Sequence, residues 1–403
     1  MSVIVTAATL GFLLAFLGAE KFITKRARRK IPLVIAVTGS RGKSSVVRLI
    51  ASGLSASGQP ILAKTTGSRA SLILPSGDEE VLTRRGIPNI REQIALLKMC
   101  SRLHAYALIV EVMSIKPENY ATEIGKILQP DILVLTNIRP DHVEAIGETP
   151  DEAAVSFTFG VPPQCHVICP ENGVPNVFID LLAKRQNRIT LVSRQAFEDE
   201  IKEFIRTDYF EWDINLCLAL AACQAAGIPS QLAVKYMLKA NPDFGALKVW
   251  RIVAQSGQWI AVNAFAANDP VSTAMIYNQI RQWDAVVRLP VIGIMNVRAD
   301  RGDRTTQWVR ILKEGATLKF DRLLIVGDYP CAVARYLKPV YKQNVQAVND
   351  RQPEKIMDLI LSLESAGAVI FGFCNIGGVG VDIVSYWEEH GEPICLPRVS
   401  SSA

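Results

Sequence analysis

A short apolar run leading into a glycine-containing turn constrains this chain more than any other stretch. Leu33–Val37 is typical of a buried strand, and residues 38–45 read TGSRGKSS. The strict phosphate-loop pattern is G-x-x-x-x-G-K-[ST]; valine stands at position 37 here, so Gly39 shapes the turn. Backbone N–H groups of such a turn and the positive end of the following helix face an anion, Lys43 adds charge, and the Ser44 hydroxyl can hold Mg²⁺. The stretch therefore predicts nucleotide binding, the alternative being a turn that binds nothing.

Bulk composition limits the remaining possibilities. With 403 residues, the chain is too long for one ordinary core and predicts two or three domains. A net charge of +5 is too small to indicate nucleic acid as a partner. The eight cysteines include no C-x-x-C pair, which favours reduced and mostly buried thiols in a reducing compartment. Cys165, His166 and Cys169 could form a metal site, but the apolar residues between them favour a core strand.

The N-terminus predicts a membrane anchor. Val3–Ala19 has 17 residues without a charge, at the short end of the roughly 17–25 that span a bilayer. Basic residues follow this segment and none precede it, which is the reverse of a cleaved signal peptide. The positive-inside rule then places the N-terminus outside and the rest of the chain in the cytoplasm. We predict a single pass within residues 1–24 at the cell membrane; the alternative is an amphipathic or buried first helix.

The rest of the chain alternates strand-like and helical patterns, which predicts an α/β protein with a mostly parallel sheet. We expect an ATP-binding central domain at 25–245 and a smaller Rossmann-like domain at 246–403. The predicted strands are Leu33–Val37, Gln59–Ala63, Leu72–Leu74, Ala107–Val110, Ile132–Thr136, His166–Cys169, Trp259–Val262, Val291–Met295, Leu323–Val326 and Val369–Phe373. The predicted helices are Lys43–Ser57, Asn89–Leu103, Ala121–Leu128, Asp151–Phe159, Glu211–Ala226, Ser272–Trp283, Gln307–Lys313 and Pro353–Leu363.

Polar residues follow several of these strands, where doubly wound sheets bind ligands. Glu111 ends an apolar strand and can hold Mg²⁺ directly or through water. Asn137, Asp141 and His142 crowd one loop, and His142 could serve a second cation. The alternatives are that Glu111 caps a helix and that His142 is a surface histidine.

A charged stretch follows a strand of the second domain. Arg298, Asp300, Arg301, Asp303 and Arg304 fall within seven positions. Guanidinium groups bind phosphate or carboxylate bidentately, and an aspartate can accept from ribose hydroxyls. A surface salt-bridge cluster is the alternative interpretation.

The order of these motifs resembles the Mur ligase superfamily, the ATP-dependent amide-forming ligases that include folylpolyglutamate synthase. Residues 38–45 resemble its phosphate loop, and Glu111 lies where its Mg²⁺-binding glutamate falls. Residues 136–147 resemble its T-N-x-x-x-D-H-x-x-x-x-G signature, whose histidine binds a second Mg²⁺. Asn215 resembles the asparagine that contacts adenine, and Arg298–Arg304 resembles the arginine–aspartate motif of the C-terminal domain.

The chain is more closely similar to the ATPase subunits of poly-γ-glutamate synthase, the CapB/PgsB family. The shared features are the short apolar N-terminus followed by basic residues and a set of short strings that spans nearly the whole chain. These strings are KTTG at 64–67, PNIREQ at 88–93, GA at 245–246, FAAND at 265–269, MN at 295–296, RADR at 298–301, DRT at 303–305 and NIG at 375–377. The resemblance implies ATP-dependent γ-linked polymerisation of glutamate, together with small membrane-protein partners in a complex that we expect to be oligomeric.

The residues and the resemblance together define the expected site. ATP and Mg²⁺, one or two ions and replaceable by Mn²⁺, are the expected cofactors, and glutamate and the growing chain are the substrates. The catalytic residues are Lys43, Glu111, His142, Arg298, Arg301 and Arg304, and the metal ligands are Ser44, Glu111 and His142. The cofactor-binding residues are Gly39, Ser40, Arg41, Gly42, Lys43, Ser44, Ser45, Asn137, Asn215 and Asp300. The substrate-binding residues are Lys64, Thr65, Thr66, Asn268 and Asp269.

Our hypothesis for the mechanism is acyl-phosphate chemistry. A glutamyl carboxylate attacks the γ-phosphate of ATP, and an amine then attacks the resulting mixed anhydride. Metal and arginines neutralise the charge as two anions approach, and we expect domain closure to bring the arginines in.

Three features depart from the Mur pattern. Residues 151–161 contain no lysine that could be the carbamylated one, the anchor takes the place of a UDP-binding domain, and Ala246 stands where a linker arginine is expected. Lys248 is a possible substitute for that arginine. These departures argue against a soluble Mur-type nucleotide substrate and leave a polymer ligase intact.

Three other functions stay open at this point. A folylpolyglutamate or cell-wall-precursor ligase shares the superfamily motifs. A membrane-anchored kinase or transport ATPase would also join an anchor to a Gly-Lys-Ser loop. A scaffold would bind nucleotide without turning it over.

Overall fold

The computed structural model describes residues 2–67, 69–84, 86, 88–139, 147, 149–204, 207, 209–254, 257–315 and 318–396. The chain divides into two compact units. The first contains Met1–Phe204 and Trp212–Asn241, and the second contains Ile205–Glu211 and Pro242–Ala403. Asp141 and His142, which the sequence marks as candidate site residues, lie outside the described residues.

The first unit is built on a mostly parallel sheet. Within its described residues eight strands follow the order β4-β3-β2-β5-β1-β6-β7-β8. From β2 to β8 neighbouring strands are parallel, whereas β3 and β4 form an antiparallel extension at one edge. The strands are β1 Leu33–Thr38, β2 Ile61–Thr65, β3 Ser71–Ile73, β4 Glu79–Val81, β5 Ala107–Glu111, β6 Ile132–Leu135, β7 His166–Pro170 and β8 Arg188–Val192.

Helices cover both faces of this sheet, because the central strands are apolar on both sides. All residues of β1 and β5 are buried. The helices are α1 Ser2–Arg29, α2 Lys43–Leu54, α3 Glu92–Arg102, α4 Pro117–Thr122, α5 Pro150–Thr158, α6 Asn176–Lys184, α7 Glu198–Phe204, α8 Asp213–Ala225 and α9 Ser230–Met237. A π-helix, Glu123–Leu128, continues α4.

The N-terminal helix α1 has two parts with different surroundings. In the described part of the chain, Ile4–Arg29 is the one helix long and apolar enough to cross a membrane. The apolar side chains of its first part are exposed; Phe12, for example, is 75% exposed. Further along, Thr24 and Ala27 are buried, and Arg28 donates to Leu128 O at 2.8 Å. The same unbroken helix therefore joins an exposed apolar segment to the body of the first unit.

The second unit carries its own sheet. Seven strands within its described residues follow the order β13-β12-β11-β14-β10-β9-β15. In this order, neighbouring strands from β13 through β12, β11 and β14 to β10 are parallel. Strand β9 pairs antiparallel with both β10 and β15. The strands are β9 Val249–Ile252, β10 Gln258–Asn263, β11 Val291–Val297, β12 Arg322–Gly327, β13 Val345–Ala347, β14 Gly367–Phe373 and β15 Gly391–Ile394. The helices are α10 Pro270–Arg281, α11 Gly302–Glu314, α12 Pro330–Tyr341, α13 Pro353–Leu363 and α14 Val379–His390.

The predicted fold class is confirmed, and each of the ten predicted strands is present with its ends shifted by at most two residues. The prediction missed five strands, four of which are edge strands (β4, β8, β13 and β15) and one of which, β9, lies next to an edge. These strands lack a long apolar run. Six of the eight cysteines are buried, as predicted; Cys331 and Cys395 are exposed. Cys165 directly precedes strand β7, and Cys169 lies within it. Among the described residues there is no group of His, Cys, Asp and Glu side chains that could hold a metal ion.

Candidate active site

The loop after β1 fits so closely against the end of β6 that only glycine can occupy position 39. Gly39 has a φ of +121°, a conformation that side chains disfavour. A Cβ atom there would lie 2.3 Å from Thr136 Oγ1 and 2.8 Å from the carbonyl oxygen of Asn137. The backbone N–H of Ser40 donates to that same carbonyl at 3.0 Å. The loop is thus fixed on a neighbouring strand end before it enters α2.

Asn137 braces this loop from the side. Its Oδ1 accepts from the N–H of Arg41 at 3.1 Å, and its Nδ2 donates to the carbonyl of Arg41 at 2.9 Å. The Ser40 hydroxyl bonds both the carbonyl and the N–H of Arg139, each at 3.0 Å. The sequence predicted Asn137 as a nucleotide contact, and the structure shows it in contact with the loop backbone.

Helix α2 begins at the loop without an acidic residue in its own first turn. Its N-cap, Gly42, has a φ of +83°, and no side chain caps it. Lys43 donates from Nζ to Gly39 O at 2.8 Å and to Ser40 O at 3.3 Å, so its ammonium lies over the loop. Asn215, in the first turn of α8, is buried against Gly42, where a Cβ would lie 2.7 Å from its Oδ1. These features suit an anion at the start of α2.

A carboxylate stands beside this helix start. Glu111 ends β5 opposite Val37 of β1 and is 4% exposed. Its Oε2 accepts from the Ser44 hydroxyl at 2.8 Å and from the N–H of Thr66 at 2.6 Å. The ends of β2 and β5 and the start of α2 therefore converge on one carboxylate oxygen. A hydroxyl and a carboxylate are hard oxygen donors, the kind that Mg²⁺ and Mn²⁺ prefer.

The predicted substrate residues at the end of β2 lie in different surroundings. Lys64 is 1% exposed, and its Nζ donates to Glu92 at 2.8 Å. Burial lowers the pKa of Lys64, and the hydrogen bond to Glu92 opposes this effect. Arg84 donates to the same carboxylate at 2.9 Å. The Thr65 hydroxyl is buried and has no hydrogen-bond partner within the described residues.

Sequence reasoning had not identified Glu92 and Arg84 as partners of Lys64. Glu92 lies within the PNIREQ string at 88–93, yet nothing in that string specifies a partner 28 positions earlier. Buried ion pairs require good geometry on both sides, so these three residues form one structural group.

In the second unit, polar residues gather after β10, β11 and β14. Arg304 is buried, and its Nη1 donates to Asn268 Oδ1 at 2.8 Å and to Asn375 Oδ1 at 2.6 Å. Asn375 donates in turn to the carbonyl of Asn296 at 3.0 Å. Asn296 Oδ1 is buried with no hydrogen-bond partner in the described part of the chain. Asn296 and Asn375 are not among the predicted site residues, although they lie in the MN and NIG strings.

The other charged residues of this stretch are closer to the surface. Arg298 holds Asp300 bidentately, at 2.9 Å and 2.6 Å, and is 38% exposed. Arg301 pairs with Asp303 at 3.5 Å. Asp269 caps α10, where its Oδ1 accepts from Ser272 N at 2.8 Å, and Lys248 pairs with Glu388. The surface-pair interpretation thus describes Arg298 and Arg301, whereas Arg304 is built into the core of the polar group.

Both units are similar to known protein families. The family model of the Mur ligase middle domain matches residues 37–236, and that of the poly-gamma-glutamate synthase CapB C-terminal domain matches residues 249–390. The capsule biosynthesis protein CapB of Bacillus anthracis is 34% identical over 74% of this chain, and the match covers 64% of that protein. The PGA synthase CapB of Bacillus subtilis is 29% identical over 91% of this chain and 94% of that protein.

Solved structures show the same fold. The bifunctional folylpolyglutamate synthase/dihydrofolate synthase of Yersinia pestis, complexed with AMPPNP and Mn ion, has a TM-score of 0.65 and 14% identity. That match covers 91% of this chain and 92% of the Yersinia chain. The chain therefore belongs to the Mur ligase superfamily, as a homologue of the CapB and PGA synthase proteins.

Proposed function

We propose that this protein is an ATP-dependent amide ligase that adds glutamate to a γ-linked polyglutamate chain. One observation carries the proposal: the Ser44 hydroxyl at the start of α2 meets the Glu111 carboxylate beside a loop that admits only glycine at position 39. A superfamily of amide-forming ligases gives this geometry its reaction class. The CapB C-terminal match and the PGA synthase relative support a polyglutamate product.

The first unit supplies the ATP site in this proposal. The N–H groups at the start of α2 and the Lys43 ammonium would bind the β- and γ-phosphates, because both present positive charge at the loop. Gly39, Ser40, Arg41, Gly42 and Ser45 would complete the phosphate cradle. Asn215, buried against Gly42, would limit the space for the nucleotide on the α8 side. The Yersinia structure holds an ATP analogue on the same fold, which supports this assignment.

Ser44 and Glu111 would hold the divalent cation. Their oxygens are 2.8 Å apart, and the carboxylate is nearly buried, so both donors are already gathered at one place. A bound Mg²⁺ or Mn²⁺ neutralises phosphate charge and so lowers the repulsion between two reacting anions. His142 remains our proposed ligand for a second cation, outside the described residues.

The proposed reaction has two steps. A glutamyl carboxylate oxygen bonds to the γ-phosphorus while the bond to the ADP oxygen breaks. An amine nitrogen then bonds to the acyl carbon, the carbon–oxygen bond to phosphate breaks, and one proton is released. Lys43 would neutralise charge on the phosphate oxygens, because its ammonium lies over the loop.

The second unit would bind the amino acid. Its arginines Arg298, Arg301 and Arg304 suit a carboxylate or phosphate, and Asp300 would orient Arg298 through their bidentate pair. Asn268 would face the ligand, and Arg304 donates a hydrogen bond to the amide oxygen of Asn268. Asp269 would act through the start of α10, which it caps. Thr65 and Thr66 would complete the substrate side of the first unit, and Lys64 would hold that strand end through its pair with Glu92.

We further propose that α1 attaches the protein to the cell membrane with both units in the cytoplasm. The exposed apolar part of α1 and the basic residues after it support this orientation. The short apolar segment also suits packing against small membrane-protein partners in an oligomeric synthase.

The full-length protein in detergent, supplied with ATP, Mg²⁺ and labelled glutamate, tests the proposal. We expect ADP release that depends on glutamate and a product that grows in size. Lys43→Ala should reduce both by at least about 100-fold, because removing one preorganised charge-stabilising group typically costs about 10²–10³ in rate. Lys202→Ala, an exposed lysine of α7, is the matched control and should behave as wild type.

Each alternative gives a different result in the same assay. ADP release that ignores glutamate would indicate a kinase or transport ATPase. ATP binding without any ADP would indicate a scaffold, and extension of a folate or a cell-wall precursor in place of glutamate would move the protein to another branch of the superfamily. Polymer formed at the normal rate by Lys43→Ala would refute the proposed role of the loop.

A further inference from the structure

The Glu111 carboxylate points towards α2, and its backbone is held from the opposite face of the sheet. Successive strand residues face opposite sides, so Val110 lies in the core cluster with Leu96 and Leu97 of α3. On this α3 side, Gln93 Nε2 donates to the backbone carbonyl of Glu111 at 3.4 Å. The same Nε2 donates to Glu123 Oε1 at 2.6 Å.

Glu123 accepts hydrogen bonds from the segment that follows Glu111. It is fully buried at the start of the π-helix, and it accepts from the N–H of Met113 at 3.2 Å and from the N–H of Ser114 at 2.9 Å. The Ser114 hydroxyl donates to it as well. Together with Gln93, four donors thus converge on one carboxylate. Three of them belong to the two residues that follow Glu111 by two and three positions.

Burying a carboxylate costs free energy, because the charge loses its hydration. Replacing buried charges with apolar side chains of similar volume is often neutral or stabilising, so burial alone does not favour Glu123. Its hydrogen bonds are charge-assisted and directional, and they fix the segment that leaves β5. The π-helix that carries it is a rare conformation found frequently at functional sites.

We infer that Glu123 and Gln93 are positioning residues that set the place of the Glu111 carboxylate for the divalent cation. The inference rests on the proposed function, because it takes Ser44 and Glu111 as the cation's ligands. Neither Glu123 nor Gln93 would touch metal or nucleotide. They act on the backbone at Glu111, Met113 and Ser114, and therefore on the direction in which Glu111 extends. Partners that orient metal ligands in this way typically contribute about 10–100-fold in metal affinity.

Glu123→Gln in the full-length protein tests this role, because an amide replaces one acceptor oxygen with a donor that faces the N–H groups. With ATP present, we expect the dissociation constant for Mn²⁺, followed by electron paramagnetic resonance, to rise about 10–100-fold. ATP binding in EDTA should stay within a factor of two, about the reproducibility of such titrations, because the loop at Gly39 is untouched. Amide hydrogen exchange at Met113 and Ser114 should become faster.

Two further variants keep the test decisive. Glu118→Gln makes the same chemical change at an exposed position of α4 and should leave Mn²⁺ affinity unchanged. Gln93→Met removes the donor to Glu111 and also a buried Oε1 that has no hydrogen-bond partner among the described residues, so it should fold even if Glu123→Gln does not. It should weaken Mn²⁺ binding in the same direction.

The outcomes separate this inference from the function on which it rests. Folded Glu123→Gln or Gln93→Met protein with wild-type Mn²⁺ affinity would overturn the inference while the ligase assay stands. A loss of thermal stability with unchanged Mn²⁺ affinity would also overturn it, because it would show a purely structural role. Wild-type protein that binds no Mn²⁺ with ATP would overturn the proposed function and this inference together.

Discussion

At Gly39 the backbone adopts a φ of +121°, and the volume that a side chain would need is already occupied by Thr136 and Asn137. Two independent constraints, conformation and space, therefore select the same residue. Because the loop rests directly on the end of β6, its position is set by the sheet and not by the nucleotide. The phosphate cradle would be preorganised, which reduces the entropy lost on binding.

Gly39→Ala should weaken both the fold and the loop. A strained backbone costs about 1–3 kcal/mol, and displacement of Thr136 should add to that cost. We expect the free energy of unfolding to fall by at least about 1 kcal/mol in urea titrations. The same cost should oppose the loop conformation that binds ATP. We therefore expect ATP affinity, measured by calorimetry, to fall at least about tenfold, because 1.4 kcal/mol corresponds to a factor of ten in affinity.

Gly77→Ala is the matched control for this substitution. Gly77 also has a positive φ, +90°, but no atom lies within 4 Å of its Cβ position. It should show the conformational cost alone and keep its ATP affinity. Wild-type ATP binding by Gly39→Ala would mean that the loop does not form the nucleotide site.

At the level of elements, α2 is tied to the edge hairpin of its own sheet by a buried arginine. Arg48, on α2, is 5% exposed and donates from Nη1 to Glu79 Oε2 on β4 at 2.7 Å. Strand β4 is short and exposed and contains two glutamates, which are the features that discourage pairing with another chain. The bidentate pair with Arg48 therefore helps to anchor a strand that has little apolar area of its own.

Glu79→Gln should lower stability by about 1 kcal/mol at neutral pH, because the pair is partly exposed on the glutamate side. The hydrogen bond from Arg48 lowers the pKa of Glu79 below the ordinary 4.5, with burial opposing it. A lowered carboxyl pKa gives stability that is present above 4.5 and lost as pH falls through the lowered value.

Urea titrations at several pH values would measure this difference. It should be constant from pH 7 down to the ordinary carboxyl range and shrink below it. Glu80→Gln, the exposed neighbour on β4, should show no comparable difference. A wild-type advantage that grows on acidification would contradict the assignment.

For the whole molecule, the two parts of α1 predict two different truncation phenotypes. Between residues 4 and 19 every residue is exposed, whereas Thr24 and Ala27 are buried and Arg28 donates to Asp131 at 2.8 Å. Deletion of residues 2–18 should release the protein from membranes and leave its melting temperature within a few degrees of wild type. Deletion of residues 2–29 should lower it by about 4 °C or more, because a loss of about 2 kcal/mol shifts melting by about 4–8 °C in a domain of about 150–250 residues.

Sedimentation with membranes and differential scanning calorimetry would check both truncations. The longer deletion exposes the surface that α1 covers and removes the hydrogen bonds of Arg28 to the first unit. Equal melting temperatures for the two truncated proteins would show that the second part of α1 does not support the fold.

Much of the fold was predictable from the sequence because the central strands are apolar on both faces. Runs such as Leu33–Val37 have few other structures open to them. Strand β4, which reads Glu-Glu-Val, carries no such signal and forms because Arg48 and β3 hold it. Edge strands therefore depend on tertiary partners that the local pattern does not contain.

The site was partly predictable for the same reason. Glu111 and Ser44 follow from strand and helix ends that parallel topology brings together. The role of Asn137 as a brace was not predictable, because an amide can bind a nucleotide or a backbone equally well. Lys64 with Glu92, and Gln93 with Glu123, are pairs of residues 28 and 30 positions apart whose contacts exist only in the folded chain.

The first turn of α3 and the residue before it connect three parts of the first unit. Arg91 pairs with Glu20 of α1, Glu92 pairs with Lys64, and Gln93 reaches Glu123. With α1 seated in a lipid bilayer, no flexible tether would separate the lipid surface from the first catalytic unit. Under the proposed function, the site at Ser44 and Glu111 would then stay at a fixed distance from the membrane surface.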